Sequence, residues 1–314
     1  MKVIIISGPT ATGKTGLSIN LAKKFNAEIV NFDSLLLYKE ITIGTAKPTK
    51  DEQRNIPHHM IDVSSISTPL NAADFAKMAL PIINSIHQSG KVVFLVGGSG
   101  FYLQALLKGM YDSPTTPAEI IEKSELLYRE KGINAFIEIL TLHDPVSLSR
   151  YHLNDHYRVR RAVEHFWTTG IPLSKERERK DLENEKLHQS SVHGWEVLHI
   201  YLDIPREEHL SFIKARTERM LEQGLIGEVE TLLTLGFSGK EKPLQSIGYK
   251  EVLDLHLGNF KDLAECKERI IISTRQLAKS QRTWFNRIQD KIKFNPLNSS
   301  EEIFETVKKF IESK

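Results

Sequence analysis

A complete phosphate-binding loop stands near the start of the chain, and it constrains the fold more strongly than any other segment. Residues Gly8–Thr15 read Gly-Pro-Thr-Ala-Thr-Gly-Lys-Thr, after the apolar run Val3–Ile6 and before an amphipathic stretch at Leu17–Phe25. The glycines let consecutive backbone N–H groups point inward, the next helix directs its positive end at the same spot, and Lys14 adds a full charge. The pattern predicts a strand, a loop and a helix that together bind a diphosphate or triphosphate.

The whole loop is predicted to surround the phosphates. Thr15 opens the helix, and its hydroxyl is placed to bind the Mg²⁺ that bridges phosphate oxygens. Mg²⁺ is therefore the expected cofactor, with Thr15 as its protein ligand. The predicted diphosphate-binding residues are Gly8, Pro9, Thr10, Ala11, Thr12, Gly13, Lys14 and Thr15.

Composition limits the class of protein. The chain has 314 residues, of which 40% are hydrophobic and 26% charged, and a net charge of +2, so any nucleic-acid binding would depend on local basic patches. Its single cysteine, Cys266, excludes an internal disulfide framework and a cysteine-based zinc site. The N-terminus enters a predicted strand directly, and no apolar run approaches about 18 residues. We expect a soluble, cytoplasmic monomer without a membrane segment.

Strands and helices alternate over the first third of the chain. Apolar runs at Val3–Ser7, Glu28–Asn31 and Val92–Val96 predict strands, and Asn71–Gln88 is the clearest predicted helix between them. This alternation predicts an α/β fold, a doubly wound parallel sheet that contains the P-loop and is flanked by helices. Turn-forming residues at Tyr111–Pro117 then mark a domain boundary.

An all-helical insertion domain is predicted at residues 114–194, between the two parts of the catalytic core, 1–113 and 195–314. Apolar periodicity predicts its helices, and the charged tract Lys175–Leu187 predicts a solvated helix or loop. Beyond the insertion the chain returns to mixed structure and ends in a helix. The predicted helices of the insertion are Ile120–Lys131, Phe136–Leu142 and Asp155–Thr168; after it come strands at Trp195–Leu202 and Lys291–Phe294 and helices at Arg206–Gln223, Gly227–Leu235 and Asp262–Arg287.

The strand that ends at Val96 lacks the acidic residue that an ATPase or GTPase needs to hold Mg²⁺ and order water. It runs instead into Gly97-Gly98-Ser99-Gly100, and the nearest acidic candidate is Asp33, after the second strand. Because the carboxyl ends of parallel strands form the ligand crevice, Asp33 and Ser99 are expected to face the phosphate loop. From the residues alone, Asp33 is a ligand of Mg²⁺-bound water, a base, or a surface residue at a strand end.

Several motifs at fixed separations identify a family. The most specific are Gly-Thr-Ala-Lys-Pro at Gly44–Pro48 and Thr-Arg-Gln-Leu-Ala-Lys at Thr274–Lys279, in combination with the phosphate loop. The other segments are Asp33-Ser34, Tyr38, Pro57–His59, Ala73–Phe75, Gly97–Tyr102, Asn154-Asp155, Arg158, Arg161-Ala162, Met220–Leu225 and Gly248-Tyr249. Together they resemble the bacterial tRNA dimethylallyltransferases (tRNA isopentenyltransferases) over nearly the whole chain.

The resemblance implies transfer of a dimethylallyl group from dimethylallyl diphosphate to N6 of the adenosine 3′-adjacent to the anticodon (position 37) in tRNA, with release of diphosphate. The expected partners are therefore dimethylallyl diphosphate and the anticodon stem-loop of tRNA. The phosphate loop would hold a diphosphate and not ATP. No water needs activation in this reaction, which accounts for the missing hydrolytic carboxylate.

The resemblance also implies roles for the residues near the loop. Asp33 would take a proton from the adenine amine as the new bond forms. Lys14, the loop N–H groups, Thr15 with Mg²⁺, Ser99 and Arg216 would stabilise the leaving diphosphate. Asp33, Thr15, Ser99 and Arg216 are thus the expected catalytic residues, and a surface arginine on an amphipathic helix is the alternative for Arg216.

Binding of tRNA is expected on two basic clusters. In the long helix near 262–287, Arg275, Lys279, Arg282 and Asn286 are spaced to share one face, although a solvated basic helix has the same spacing. The second cluster lies in the insertion. The expected tRNA-binding residues are Asp33, Ser34, Leu35, Leu36, Tyr157, Arg158, Arg160, Arg161, Gln245, Gly248, Tyr249, Arg275, Gln276, Lys279 and Arg282.

Two positions depart from the family pattern. Ser99 stands where the family usually has threonine, which keeps the hydroxyl, and Tyr157 stands where the family has glutamine as its first RNA contact. Two other functions stay open. An adenylate isopentenyltransferase acting on a free nucleotide would share the loop and Asp33 but would not need the insertion, and a P-loop kinase or nucleotide switch would need the missing carboxylate.

Overall fold

A parallel sheet with helices on both faces forms the larger of two units. The computed structural model describes residues 1–109, 114, 116–179 and 193–313. Its strands are β1 (Lys2–Ser7), β2 (Ala27–Asn31), β3 (His58–His59), β4 (Val92–Gly97), β5 (Glu196–Leu202) and β6 (Ile292–Phe294). Within the described chain they form one six-stranded sheet in the order β3-β2-β4-β1-β5-β6, and every neighbouring pair is parallel. The predicted α/β fold is confirmed.

In the described residues of the larger unit, one α-helix follows each of β1, β3, β4 and β6, and four α-helices in succession follow β5; the helices of the smaller unit follow one another. The core helices are α1 (Lys14–Lys24), α2 (Ala72–Gln88), α3 (Gly100–Lys108), α8 (Arg206–Glu222), α9 (Leu225–Thr234), α10 (Tyr249–His256), α11 (Leu263–Phe285) and α12 (Ser300–Glu312). The others are α4 (Ala118–His143), α5 (Pro145–Ser149), α6 (His156–Thr169) and α7, which is described over 173–179.

Strand β1 lies at the centre of the sheet because its apolar residues can be covered on both faces. Val3–Ile6 have no exposed surface, and Ile4 lies opposite Phe94 of β4 on one side and Leu198 of β5 on the other. A continuous apolar run is the pattern expected of a parallel strand buried on both faces. Complete burial of each such side chain contributes about 1.5–3 kcal/mol relative to exposure.

The bounds of the predicted elements agree with the structure to within a few residues, but helices α3, α5 and α10 had no counterpart among the predictions. Strand β3 was not predicted, because two residues are too short for a period-2 pattern to show. The two helices predicted at 120–131 and 136–142 belong to one element, α4, which is interrupted at Gly132, where φ is 66°. Glycine adopts that left-handed conformation without strain, and the chain changes direction there.

The chain divides into two compact units. One comprises Met1–Leu107 and His193–Lys314, and the other is Lys108–Val192. The predicted boundaries, 113/114 and 194/195, lie within a few residues of these. In its described part the smaller unit is helical around a core that contains Phe136, Leu140 and Val163. Most of the predicted charged tract, from residue 180 onward, lies outside the described residues; the preceding turns are helical, with a Lys175–Glu178 ion pair.

Within the described ranges of the chain, no helix combines the length and the apolar character that crossing a bilayer requires. The long helices α4 and α11 are amphipathic instead, with buried positions such as Phe136 and Ile270 separated by exposed ones. Each therefore packs one side against its own unit.

Buried His199 on β5 links folding stability to pH. Its Nε2 lies 2.6 Å from the Ser7 Oγ, Phe285 packs edge-on against the ring, and burial lowers its pKa to about 4, with Lys291 adding to the shift. The unfolded chain takes up the proton near the ordinary pKa of about 6.5, so stability falls as pH decreases below that value. We expect His199 to cost about 3 kcal/mol of unfolding free energy between pH 6.5 and pH 4.

Urea unfolding of the native chain and of His199→Gln across this pH range measures the effect. Glutamine can still bond to Ser7 but does not titrate. The variant should lose most of the acid-induced decrease, and equal pH dependence in both proteins would contradict the prediction.

Candidate active site

The phosphate-binding loop lies between β1 and α1 in a conformation that its glycines make possible. Gly13 precedes α1 with a left-handed φ of 78°, and Gly8 has a φ of 154°. A Cβ atom on Gly8 would lie 2.4 Å from the carbonyl oxygen of Leu202, so only glycine fits beside β5. Ala11 also has a positive φ, 59°, which costs an L-residue free energy and is found mostly where the surrounding structure fixes a binding loop.

Lys14 extends back along this loop. Its Nζ donates to the carbonyl oxygens of Gly8, at 3.0 Å, and Pro9, at 2.7 Å, and the Thr12 hydroxyl also donates to Pro9. Burial lowers the pKa of Lys14 to about 8; the charge of Asp33 opposes this shift and the charge of Arg216 adds to it. The loop therefore holds a partly desolvated cation at the start of α1, where the helix dipole also favours an anion.

Asp33 is held in place by the end of its own strand. The Asn31 Oδ1 accepts a hydrogen bond from the Asp33 N–H at 2.9 Å, and the Asn31 Nδ2 donates to the Asp33 and Met60 carbonyls. The Asp33 Oδ1 accepts from the Leu35 N–H at 3.2 Å. Asn31 was not predicted as a functional residue; its position as the last residue of β2, at the crevice end of a parallel sheet, is the signal that identifies it.

Arg216 lies on α8 beside the same carboxylate. Burial lowers the pKa of its guanidinium, and the charge of Asp33 opposes that shift, as it does for Lys14. The Arg216 Nη2 also donates to the Thr45 carbonyl oxygen at 3.2 Å. The surface-arginine alternative does not describe this environment. Two half-buried cations and one carboxylate thus meet beside the phosphate loop.

Ser99 connects the ends of two strands. Its Oγ accepts a hydrogen bond from the Ser34 N–H at 3.0 Å and lies 3.3 Å from the Ser34 Oγ, to which it donates. Because Ser99 follows β4 and Ser34 follows Asp33, this contact fixes the segment after β2 against the start of α3. Leu35 and Leu36 continue that segment and are half-buried.

The segment that bonds to Arg216 has its own anchor, which sequence analysis did not find. The Glu228 carboxylate accepts hydrogen bonds from the N–H groups of Thr42, Ile43 and Gly44 at 2.7 to 3.2 Å. The Tyr249 hydroxyl donates to Glu228 at 2.6 Å. A carboxylate that accepts several N–H bonds rigidifies the backbone that supplies them.

The expected RNA face of α11 is divided by the structure. Arg275, Gln276 and Lys279 are exposed. Arg282 is not: its Nε donates to the Asp203 Oδ1 at 2.8 Å and its Nη2 donates to the His209 Nδ1 at 2.7 Å, with its side chain 14% exposed. Arg282 therefore faces inward, because the largely buried Asp203 carboxylate binds its guanidinium; tRNA binding by Arg282 stays a prediction.

Tyr249, another predicted tRNA contact, lies in the core. Its side chain is fully buried, burial together with Glu228 raises the pKa of its hydroxyl, and Gly248 beside it is buried. A ring with no exposed surface packs the core and cannot stack on RNA. Gln245, in contrast, is exposed and lines an open groove of about 560 Å³ together with Gln276, Arg269 and Phe260.

In the helical unit the predicted cluster is partly neutralised. Tyr157 and Arg158 are exposed. Arg160 stacks over the Tyr128 ring and donates to the Ser124 Oγ, and Arg161 forms an ion pair with Glu164 at 2.9 Å. These contacts hold both arginines against their own unit and leave less of their positive charge available to bind RNA.

No group of three or more His, Cys, Asp or Glu side chains is placed to hold a metal ion in the described part of the chain. A Zn²⁺ or Ca²⁺ cage of protein ligands is therefore not formed there. Thr15 and Asp33 supply few, hard oxygen donors, and a site of that kind suits Mg²⁺, which keeps several waters and binds substrate phosphates.

Comparison with known proteins gives consistent matches. A family model described as IPP transferase matches residues 36–288. The chain is 40% identical over 287 residues to tRNA dimethylallyltransferase 2 of Geotalea uraniireducens, covering 91% of this chain and 90% of that one. It is 39% identical to tRNA dimethylallyltransferase 1 of Pelobacter propionicus, covering 91% of this chain and 89% of the relative.

Two solved structures share the fold over nearly the whole chain. A tRNA isopentenylpyrophosphate transferase from Bacillus halodurans superposes with a TM-score of 0.71 at 31% identity, covering 99% of this chain and 97% of that chain. A eukaryotic dimethylallyltransferase acting on tRNA gives a TM-score of 0.80 at 28% identity, covering 99% of this chain and 79% of that chain.

The low pKa of Lys14 predicts pH-dependent binding of inorganic pyrophosphate. In the free protein the ammonium loses its proton above about pH 8, whereas a bound anion would hold the proton in place. Affinity should therefore fall above about pH 8, by up to about tenfold per pH unit.

Calorimetric titration of pyrophosphate from about pH 7 to about pH 9.5 measures this slope, with Lys14→Gln as the comparison. Lys14→Gln should bind pyrophosphate more weakly. The remaining change of its affinity with pH should come mainly from titration of pyrophosphate itself. The same fall in affinity in both proteins would assign the slope to another group.

Proposed function

The chain belongs to the IPP transferase family, and we propose that it transfers a dimethylallyl group from dimethylallyl diphosphate to N6 of the adenosine 3′-adjacent to the anticodon of tRNA. The names of its relatives support prenyl transfer to tRNA. The observation that carries the proposal is the meeting of Asp33, Lys14 and Arg216 beside the phosphate-binding loop. These groups match a reaction that breaks a C–O bond to diphosphate while an amine loses a proton.

Asp33 is the proposed base. The exocyclic amine of adenine is a weak nucleophile because its lone pair is delocalised into the ring, so removal of a proton as the bond to carbon forms lowers the barrier. A positioned carboxylate contributes about 10²–10⁴ in rate when it lies within hydrogen-bond reach of the proton. The bonds from Asn31 and Leu35 orient Asp33 for that task.

The leaving diphosphate would be stabilised by the cations and donors of the loop. As the allylic C–O bond breaks, positive charge spreads over the prenyl group and negative charge collects on the diphosphate. Lys14 and Arg216, both partly desolvated, would interact with that charge more strongly than cations in water do. Ser99 adds a hydroxyl at the end of β4.

Mg²⁺ fits this site as a proposed cofactor. Thr15 lies in the first turn of α1, and its hydroxyl would hold the ion. When bound, the ion would neutralise charge on the diphosphate oxygens.

Free nucleotide and ATP chemistry are less well supported. A kinase or nucleotide switch needs a carboxylate where β4 is followed by Gly98 and Ser99. An adenylate prenyltransferase needs little surface beyond the nucleotide site, whereas this chain carries a separate helical unit and matches proteins named for tRNA. A tRNA substrate and the bacterial sources of its relatives also favour action in the cytoplasm, and we propose a monomer as the working form.

The proposed tRNA contacts in the core are Arg275, Gln276 and Lys279 on the exposed side of α11, with Gln245 across the groove. On the helical unit, Tyr157 and Arg158 are the exposed members of the predicted set. Asp33–Leu36 would contact the target base, which must leave its stack, at a cost of a few kcal/mol that is smallest in a loop.

Mass spectrometry of tRNA nucleosides tests the proposal directly, after incubation with enzyme, Mg²⁺ and labelled dimethylallyl diphosphate. The label should appear on one adenosine of the anticodon loop. Faster transfer to AMP than to an anticodon stem-loop would favour the free-nucleotide alternative.

Asp33→Asn should separate binding from chemistry. The amide keeps the acceptor for the Leu35 N–H but removes the base, so single-turnover transfer should fall by about 10²-fold or more while pyrophosphate affinity is retained or slightly increased. Asp51→Asn, at an exposed position, is the matched control and should react at the native rate. Native turnover in Asp33→Asn would remove Asp33 from the mechanism.

The exposed side of α11 makes a second, independent prediction. Arg275→Ala and Lys279→Ala should each weaken tRNA binding and reduce the slope of log affinity against log salt by about one unit, because each phosphate contact releases about one counterion. Pyrophosphate affinity should not change. Lys308→Ala, on the exposed side of α12, serves as the control; salt slopes equal to the control would identify α11 as a solvated basic helix.

A further inference from the structure

We propose that Gln281 and His209 are positioning residues that fix the phosphate-binding loop through the backbone of Thr10. The Thr10 N–H donates to the Gln281 Oε1 at 2.8 Å, and the Thr10 carbonyl oxygen lies 2.8 Å from the His209 Nε2. Neither residue belongs to the loop motif. Both come from helices far along the chain, Gln281 from α11 and His209 from α8.

The chemistry of the neighbours fixes the proton on His209. The Arg282 Nη2 lies 2.7 Å from the His209 Nδ1, and a guanidinium only donates, so Nδ1 accepts. The proton of the neutral ring is then on Nε2, which donates to the Thr10 carbonyl. Asp203 holds Arg282 at 2.8 Å, and His209 is buried. An ordered chain therefore runs from Asp203 through Arg282 and His209 to the loop.

Burial makes this arrangement specific. His209 is 1% exposed, and burial lowers the pKa of its ring, as does the charge of Arg282, while the bond to Thr10 opposes the shift. The neutral ring, with one donor and one acceptor, is the form that satisfies both neighbours. An apolar side chain in its place would leave the Thr10 carbonyl without this donor.

Gln281 also contacts the loop that follows β4. Its Nε2 donates to the Gly98 carbonyl oxygen at 3.1 Å, so one amide bridges the loop after β1 and the loop after β4 that carries Ser99. A Cβ atom on Gly98 would lie 2.5 Å from that Nε2, and one on Gly100 would lie 2.2 Å from the Trp284 ring. Glycine at both positions allows α11 to approach this closely.

Packing reinforces the hydrogen bonds. Ile271 and Ala278 of α11 and Ile213 of α8 form a small buried cluster against which Ala11 of the loop packs. Ala11 has the unfavourable positive φ described above, so contacts beside it on Thr10 help to hold that conformation. The Thr10 N–H is already bonded within the protein, to Gln281.

This inference rests on the proposed function for its kinetic consequence but not for its binding consequence. Gln281→Met removes both amide contacts at similar length, and His209→Leu removes the donor to Thr10. His209→Gln is the conservative variant, since its amide nitrogen can replace Nε2 as the donor. Gln88→Met, at the exposed end of α2, is the matched control.

The measurements are inorganic pyrophosphate affinity by calorimetry, single-turnover transfer, tRNA affinity and thermal unfolding. In Gln281→Met and His209→Leu we expect pyrophosphate affinity to fall about 5–20-fold and transfer about 10–100-fold, as the cradle is displaced. Affinity for tRNA should stay native, because the exposed side of α11 is unchanged. His209→Gln should recover most of both losses.

Native pyrophosphate affinity in folded Gln281→Met and His209→Leu would overturn the inference, as would equal losses in His209→Gln and His209→Leu. Failure of the native enzyme to prenylate tRNA would instead reject the proposed function, and the pyrophosphate titrations would still decide the role of Gln281 and His209. Thermal unfolding identifies any variant whose loss comes from a general loss of structure.

Discussion

The parallel register of three neighbouring strands is the constraint on which the rest of the site depends. Ser7 of β1 lies opposite Gly97 of β4 and Tyr201 of β5, so the segments that leave these strands begin at the same edge of the sheet. Strand pairing alone therefore places the phosphate loop, Ser99 and Asp203 at the same edge of the sheet. Asp33 joins them because Asn31 pairs with Val96 one strand further out. A shift of register would separate the phosphate loop from Ser99 and from the carboxylate together.

Electrostatics then determines how this edge is used. Lys14 and Arg216 are both partly desolvated, and the Asp33 carboxylate offsets their charge. Such an arrangement is costly to fold but ready to receive a polyanion, because the energy of desolvation has been spent before the ligand arrives. The strained backbone of Ala11 also lies here. Such a conformation persists only where the surrounding structure holds it, as the sheet and helices do at this site.

Helix α11 shows why a periodicity argument has limited reach. Spacing correctly places Arg275, Lys279 and Arg282 along one stripe, but a stripe is wide enough to include both an exposed edge and a buried one. Arg282 falls on the buried edge because Asp203, about eighty positions earlier in the chain, is located there by β5. The same helix presents Gln281 to the phosphate loop and Trp284 to Gly100. These partners are distant in sequence, so no local pattern indicates them.

The sequence by itself determined the α/β class, the position and conformation of the phosphate loop, the insertion and the family, because each depends on local pattern or on motifs at fixed separations. The placement of Asp33 and Ser99 near the phosphate loop could also be predicted from the sequence, because the carboxyl ends of parallel strands share one edge of the sheet. Only the tertiary structure decided that Tyr249 is a buried donor to Glu228 and that Arg282 faces inward. It alone decided that Asn31, His209 and Gln281 support the site. Hydrogen bonds and burial are properties of pairs of distant residues, and those pairs exist only once the chain has folded.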